Sequence, residues 1–178
     1  MSSRGCLGSA ACLAAALAVV FTCAPAAACP NRQFTIAELT RHAAVIVEGR
    51  VTAVSSAGSA DKSQIHTRVT IDVNAYHKGR SGKGPFELSL LGGSVDDVSL
   101  FIVGQPEFQI GDEVFLFVAS RSDTGFPIVG LSEGYFRVEK DQTSSDPLLR
   151  GRSQALRRSQ MLAAIEQVLA TVPSTVRN

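Results

Sequence analysis

The chain has 178 residues, a formal net charge of +1, 45% hydrophobic residues and no tryptophan, which suits one ordinary domain with a core of its own. It carries no basic excess to neutralise a phosphate backbone, so nucleic acid is not an expected partner. Three of its four cysteines (Cys6, Cys12 and Cys23) fall in the first 28 residues; without them no disulfide framework is available, and the core must carry the stability.

Residues 1–28 read as an export signal. Arg4 is their only charge, Leu7 to Phe21 is an uncharged apolar run, and Ala26-Ala27-Ala28 offers the small residues a signal peptidase requires. The run is shorter than the roughly 20 residues a membrane-spanning helix needs. No second long apolar segment follows, so no transmembrane helix is expected after cleavage, and the expected location is periplasmic or secreted. Cleavage would leave Cys29 as the first residue. It has three readings: a free N-terminal thiol, a lipidation site that anchors the chain to the envelope, or a partner in an intermolecular disulfide. A bacterial lipobox places cysteine directly after small residues, as here, but prefers leucine where Ala26 stands.

The mature part is expected to divide into a β-barrel domain, 29–146, and a C-terminal helix with a frayed tail, 147–178. Thr35 to Ala44 has helical spacing. From Val45 the period becomes two, with Val45, Val47, Val51 and Ala53 on one face and Glu48, Arg50 and Thr52 on the other, the mark of a half-buried strand. Ser55 to Ser63 reads as a loop. Thr67, Val69, Ile71, Val73 and Ala75 then alternate inward until His77-Lys78-Gly79 and the turn cluster SGKGP. Phe86, Leu88 and Leu90 predict a third strand, Val98 to Val103 a short fourth one, and Glu113 to Ala119, apolar on both faces, a central buried one. Pro127 to Leu131 and Tyr135 to Lys140 predict two more. Ser145-Asp146-Pro147 resembles a helix start with Asp146 as cap, and the helix that follows aligns Leu162, Ile165, Val168 and Leu169 on one face. Val47, Val51, Val69, Ile71, Leu88, Leu116 and Val138 are the predicted core. Many short strands separated by turns favour a sandwich or a closed barrel.

Gly130-Leu131-Ser132-Glu133-Gly134 matches G-x-S-x-G. That motif exposes its serine on a strained strand-to-helix turn, whereas residues 135–139 alternate as a strand and every histidine precedes the serine. A hairpin turn is the expected reading, with no catalytic residue. His42, His66 and His77 show no metal-ligand spacing; His42 is expected to end the first helix, and the other two to be solvated near strand ends. Asp96, Asp97, Asp112 and Glu113 lack the dense spacing of a calcium loop, and Gly92-Gly93 opens no helix, as a phosphate cradle would require. No metal and no cofactor are expected.

The run from Ala44 to Lys140 resembles an uncharacterised domain family of exported bacterial proteins. The resemblance rests on the "VEGRVTAV" strand, the ending Val73-x-x-Tyr76-His77-Lys78-Gly79, Gly92-Gly93, Gly104-x-Pro106-x-Phe108-x-x-Gly111-Asp112-Glu113, and Gly134-x-Phe136-x-Val138. More remotely, the order of strands with a K-G ending and G-D-E before an apolar strand is similar to the netrin-like, OB-type barrel of tissue inhibitors of metalloproteinases. That resemblance implies a small antiparallel OB-like barrel with a short N-terminal and an amphipathic C-terminal helix. It also implies an N-terminal cysteine whose amine and carbonyl chelate a protease zinc, the position held by Cys29; the disulfides of that family have no counterpart here. The expected function is an exported, non-enzymatic binding or interaction domain with an envelope or extracellular protein as partner. The alternatives are an exported enzyme with a dispersed site and a metalloprotease-inhibitor-like domain.

Overall fold

Thr35 starts the first helix with a reciprocal cap: Glu38 N donates to Thr35 Oγ1 at 3.2 Å, and Thr35 N donates to Glu38 Oε2 at 2.9 Å, which satisfies donors the helix cannot pair itself. The computed structural model describes residues 33–59, 64–79, 84–120, 126–141 and 144–171; the leader and Cys29 lie outside them. In chain order the elements are α1 (Ile36–His42), β1 (Val45–Gly58), β2 (Ile65–Lys78), β3 (Phe86–Leu91), β4 (Gly93–Val95), β5 (Val98–Leu100), β6 (Glu113–Val118), β7 (Tyr135–Asp141), β8 (Ser144–Arg150), β9 (Ala155–Arg157) and α2 (Arg158–Thr171).

The protein is mainly β. Seven of these strands form one antiparallel sheet in the order β3-β2-β1-β6-β7-β8-β9, and β4 and β5 form a separate hairpin. The sheet curls into a half-barrel. A closed barrel was one expectation, but among the described residues its edges, β3 and β9, do not pair.

Both faces of the sheet bury apolar side chains. On the inner face Val47, Val51, Val69, Ile71, Phe86, Leu88, Leu90, Val114 and Leu116 pack together, with Phe108 of the β5–β6 loop against them. On the other face Ile46, Phe115, Phe117, Phe136 and Leu149 meet Leu39 of α1 and Met161 and Ile165 of α2. β6 faces both layers, and its Val114, Phe115, Leu116 and Phe117 are wholly buried, as its unbroken apolar run predicts. Six of the seven predicted core residues are buried; Val138 is half-buried on the helix-covered face.

Bulges correct the simple alternation. Thr52 is an extra residue, since Val51 faces Ile71 but Ala53 faces Thr70. Parity therefore flips, so that Ala53 is exposed and Val54 turns to the inner layer. In β2 the same happens at Asn74 and His77, which swings Tyr76, rather than Ala75, onto the inner layer. Gly79, which follows, sits at φ +82°, where a Cβ would collide with the Ala44 carbonyl.

Four further expectations differ from the structure. β1 runs on to Gly58, through the first part of the loop expected over Ser55 to Ser63. The strand expected over Val98 to Val103 stops at Leu100, leaving Phe101 and Val103 exposed. Residues 127–131 form a turn with a single bridge, Ile128 to Val118. Ser145-Asp146-Pro147 lies inside β8, and the helix begins at Arg158. Pro147 is tolerated where the β7–β8 register shifts and no ladder bond is asked of its nitrogen. Asp146 does cap a helix, across the chain: its carboxylate accepts from Ser159 N at 3.1 Å and from Ser159 Oγ at 2.6 Å.

Candidate functional site, a basic groove at the open end of the half-barrel

β7 directs Phe136 and Val138 to the helices and therefore Tyr135, Arg137 and Glu139 to the inner face. Across the ladder Arg150 of β8 faces Arg137. The inner apolar layer thins out beyond β6, leaving these polar side chains without a cover. Two turns complete the wall. Residues 128–134 fold on bonds from Leu131 N to Ile128 O at 3.1 Å and from Gly134 N to Val129 O at 2.9 Å, and they bury Ser132 and Glu133. The turn after β8 brings in Arg152, whose Nη1 donates to Ser132 Oγ at 3.2 Å, and Ser153, whose hydroxyl donates to the Glu133 carboxylate. Residues 104–107 form the facing wall, and the open groove between them has a volume of about 510 Å³.

The three arginines are not equivalent. Arg137 Nη2 is 3.1 Å from Asp112 Oδ2, and Arg150 Nε is 2.7 Å from Glu139 Oε1. Arg152 is exposed and has no carboxylate partner among the described residues. Burial pushes the Tyr135 phenol above its usual range, against the pull of Arg137 beside it, so the group stays a neutral donor. Tyr135 Oη and Gln105 Oε1 are both buried without a hydrogen-bond partner among the described residues. Such atoms are uncommon in folded proteins, and both belong to residues that line this groove.

A second cavity of about 400 Å³ adjoins it, with Gln105, Pro106 and Glu107 as the shared wall. Val54, Leu90, Leu100, Phe101, Ile102 and Phe108 supply its apolar lining. Among the described residues, the large hydrophobic side chains exposed to solvent lie on the same segment: Val98 (64%), Phe101 (78%), Val103 (95%) and Ile110 (69%).

Comparison with known protein families, with curated proteins and with solved structures finds no match for this chain. What the groove can do must therefore be argued from its own chemistry.

Of the described residues weighed as catalytic or metal-ligating candidates from the sequence, Ser132 borders the groove. Its hydroxyl accepts from an arginine, the positive φ of that turn falls on Gly130 and Leu131 rather than on the serine, and no histidine bonds to it among the described residues. His42 closes α1, edge-on to Phe34, and His66 Nε2 lies 3.1 Å from Gln64 Oε1. His77 is a correction. It is not solvated: it stacks on Phe115 with ring centroids 5.0 Å apart, and its Nε2 is 3.2 Å from Glu48 Oε2. The bulges at Asn74 and His77 place it on the helix-covered face with Phe115, where strict alternation from Thr67 would put it on the inner one. Asp96 takes a positive φ in the β4–β5 turn, Asp112 holds Gln109 N and Arg137, and Glu113 pairs with Arg50 and Lys140. Among the described residues no three His, Cys, Asp or Glu side chains are grouped to hold a metal.

Arg137, Arg150, Arg152 and Gln105 draw no attention in the sequence. The available signal is the polar alternation Tyr135-x-Arg137-x-Glu139, which reads equally well as a solvated strand face until the facing loop is placed.

Proposed function

We propose that the chain is an exported, non-enzymatic binding domain that takes an anionic group into the groove at the open end of its half-barrel. Arg152 is the observation that carries this reading: an exposed guanidinium with no carboxylate in bonding distance among the described residues, on a groove shared with Arg137, Arg150 and Tyr135. A guanidinium presents its donors in a planar fork that matches carboxylate or phosphate oxygens. Binding is favoured over turnover because Ser132, the hydroxyl at hand, receives an arginine proton donor where a nucleophile would need a base. We read the half-barrel as OB-like, a fold that uses loops and one strand face for ligands; here the groove lies on the inner face of β7 and β8 and on loops beside them. Export is supported by the leader pattern of Leu7 to Phe21 and Ala26-Ala27-Ala28.

The test is an amide NMR titration of the processed protein with citrate and with inorganic phosphate. Saturable shifts at residues 104–107, 132–137 and 150–153, lost in the double variant Arg150→Ala with Arg152→Ala, are expected. Shifts elsewhere, or none, would remove the reading. Turnover of ester, peptide or glycoside substrates that is lost in Ser132→Ala would replace it with the enzymatic one.

A further inference from the structure

We infer that the natural ligand is the carboxyl terminus of a partner polypeptide with an apolar last residue, its carboxylate on Arg152 and its side chain in the adjoining cavity. This rests on the binding reading above and adds the ligand class. The two cavities share one wall, Gln105 to Glu107, so a short ligand that crosses it reaches Arg152, which has no carboxylate partner among the described residues, on one side and an apolar lining on the other. Gly104 places the loop tightly against the cation: a Cβ there would stand 2.9 Å from Arg152 Nη1. Arg152 is thus next to the shared wall, not at the far end of the groove.

The surroundings favour a peptide over an acyl chain. Ser56 and Thr67 in the cavity wall bond each other and Gly92 O, but Gln105 Oε1 has no partner among the described residues and can accept from a peptide N–H, which an alkyl chain could not supply. Both cavities are open troughs, while a small lipid is usually enclosed over most of its surface. Among the three arginines, Arg137 is paired with Asp112 and Arg150 with Glu139; Glu107 also lines the groove, but among the described residues no carboxylate bonds Arg152, which is the cation left to take a ligand carboxylate. The exposed Phe101 and Val103 beside the cavity extend the apolar contact to residues that precede the terminal one.

Acetylated hexapeptides ending in Val, Leu or Phe, each as the free acid and as the terminal amide, are titrated into the processed protein by amide NMR. The free acids should shift Phe101, Ile102, Gln105 and Arg152. Amidation should weaken them at least about tenfold, the loss expected when a charge-assisted hydrogen bond is removed. Arg152→Ala should weaken the acids by a similar factor and leave the amides unchanged. Phe101→Ser, at a largely exposed position with little folding cost, should weaken both. Arg68→Ala, on the exposed face of β2, should change neither. Equal affinity of acid and amide, equal affinity of a Gly-terminated peptide, or binding of dodecanoate in place of every peptide would overturn the inference. If citrate occupies the groove while no peptide binds, the anion-binding reading survives and this one fails. If neither binds, both fail.

Discussion

Arg158 donates from Nε to both carboxylate oxygens of Glu48, at 2.9 and 3.0 Å, and so fastens the first turn of α2 to the beginning of β1 across 110 residues of chain. His77, stacked on Phe115, takes the other side of the same carboxylate. The Glu48 side chain is only 11% exposed, and a carboxylate so placed is tolerable because two partners hold it. Lys78 follows on the same strand and donates to the Thr40 and Ala43 carbonyls at the end of α1. Both helices are therefore tied to the sheet by polar bonds as well as by the apolar layer beneath them.

The acid limb of stability should report this cluster. Burial pushes the Glu48 carboxyl up, but His77 and Arg158 together outweigh it and hold the group below the ordinary glutamate value of 4.5. A depressed folded value means that the contribution is complete above the unfolded value and fades as pH falls through the folded one. Urea midpoints recorded from pH 7 down to pH 3 should therefore fall more steeply in the wild type than in Glu48→Gln below about pH 4.5. Parallel curves would show that Glu48 does not contribute.

Arg158→Ala should cost about 1–3 kcal/mol at neutral pH, because it leaves a largely buried carboxylate with one partner fewer. In a double-mutant cycle with Glu48→Gln the two losses should be clearly less than additive. Additive losses would mean that the pair does not act as one unit.

Leu116 is wholly buried on the inner face of β6. Leu116→Ala should cost about 2–5 kcal/mol, as buried Leu-to-Ala changes do, with an unchanged denaturant slope. A loss under 1 kcal/mol would place this side chain outside the cooperative core.

Processing is checked by intact mass. The mature chain is expected to begin at Cys29 or within two residues of it, and a mature species that retains Met1 would refute the export signal. Fractionation of wild type beside Cys29→Ser then separates the readings of that cysteine. A soluble wild type is expected; membrane association lost in the variant would instead identify a lipid anchor.

Period-two patterning was enough to place β1, β2, β3 and β7, since a strand buried on one face must alternate. The capped start of α1 and the two-sided burial of β6 follow from equally local signals, and six residues of the expected core are where the pattern puts them. The bulges at Thr52, Asn74 and His77 could not be read in the same way. An inserted residue changes no composition, yet it exchanges the two faces of everything beyond it, and only the pairing partner shows where it falls. Those insertions are why Val54 rather than Ala53 is inside and why His77 meets Glu48. The groove has the same origin: Tyr135, Arg137 and Arg150 would be solvated on an isolated hairpin, and a loop some thirty residues earlier in the chain turns that polar face into a wall. Local sequence carries the burial preference of each side chain. Which distant backbone stands opposite it is settled by tertiary packing, because the contacts that decide it are non-local.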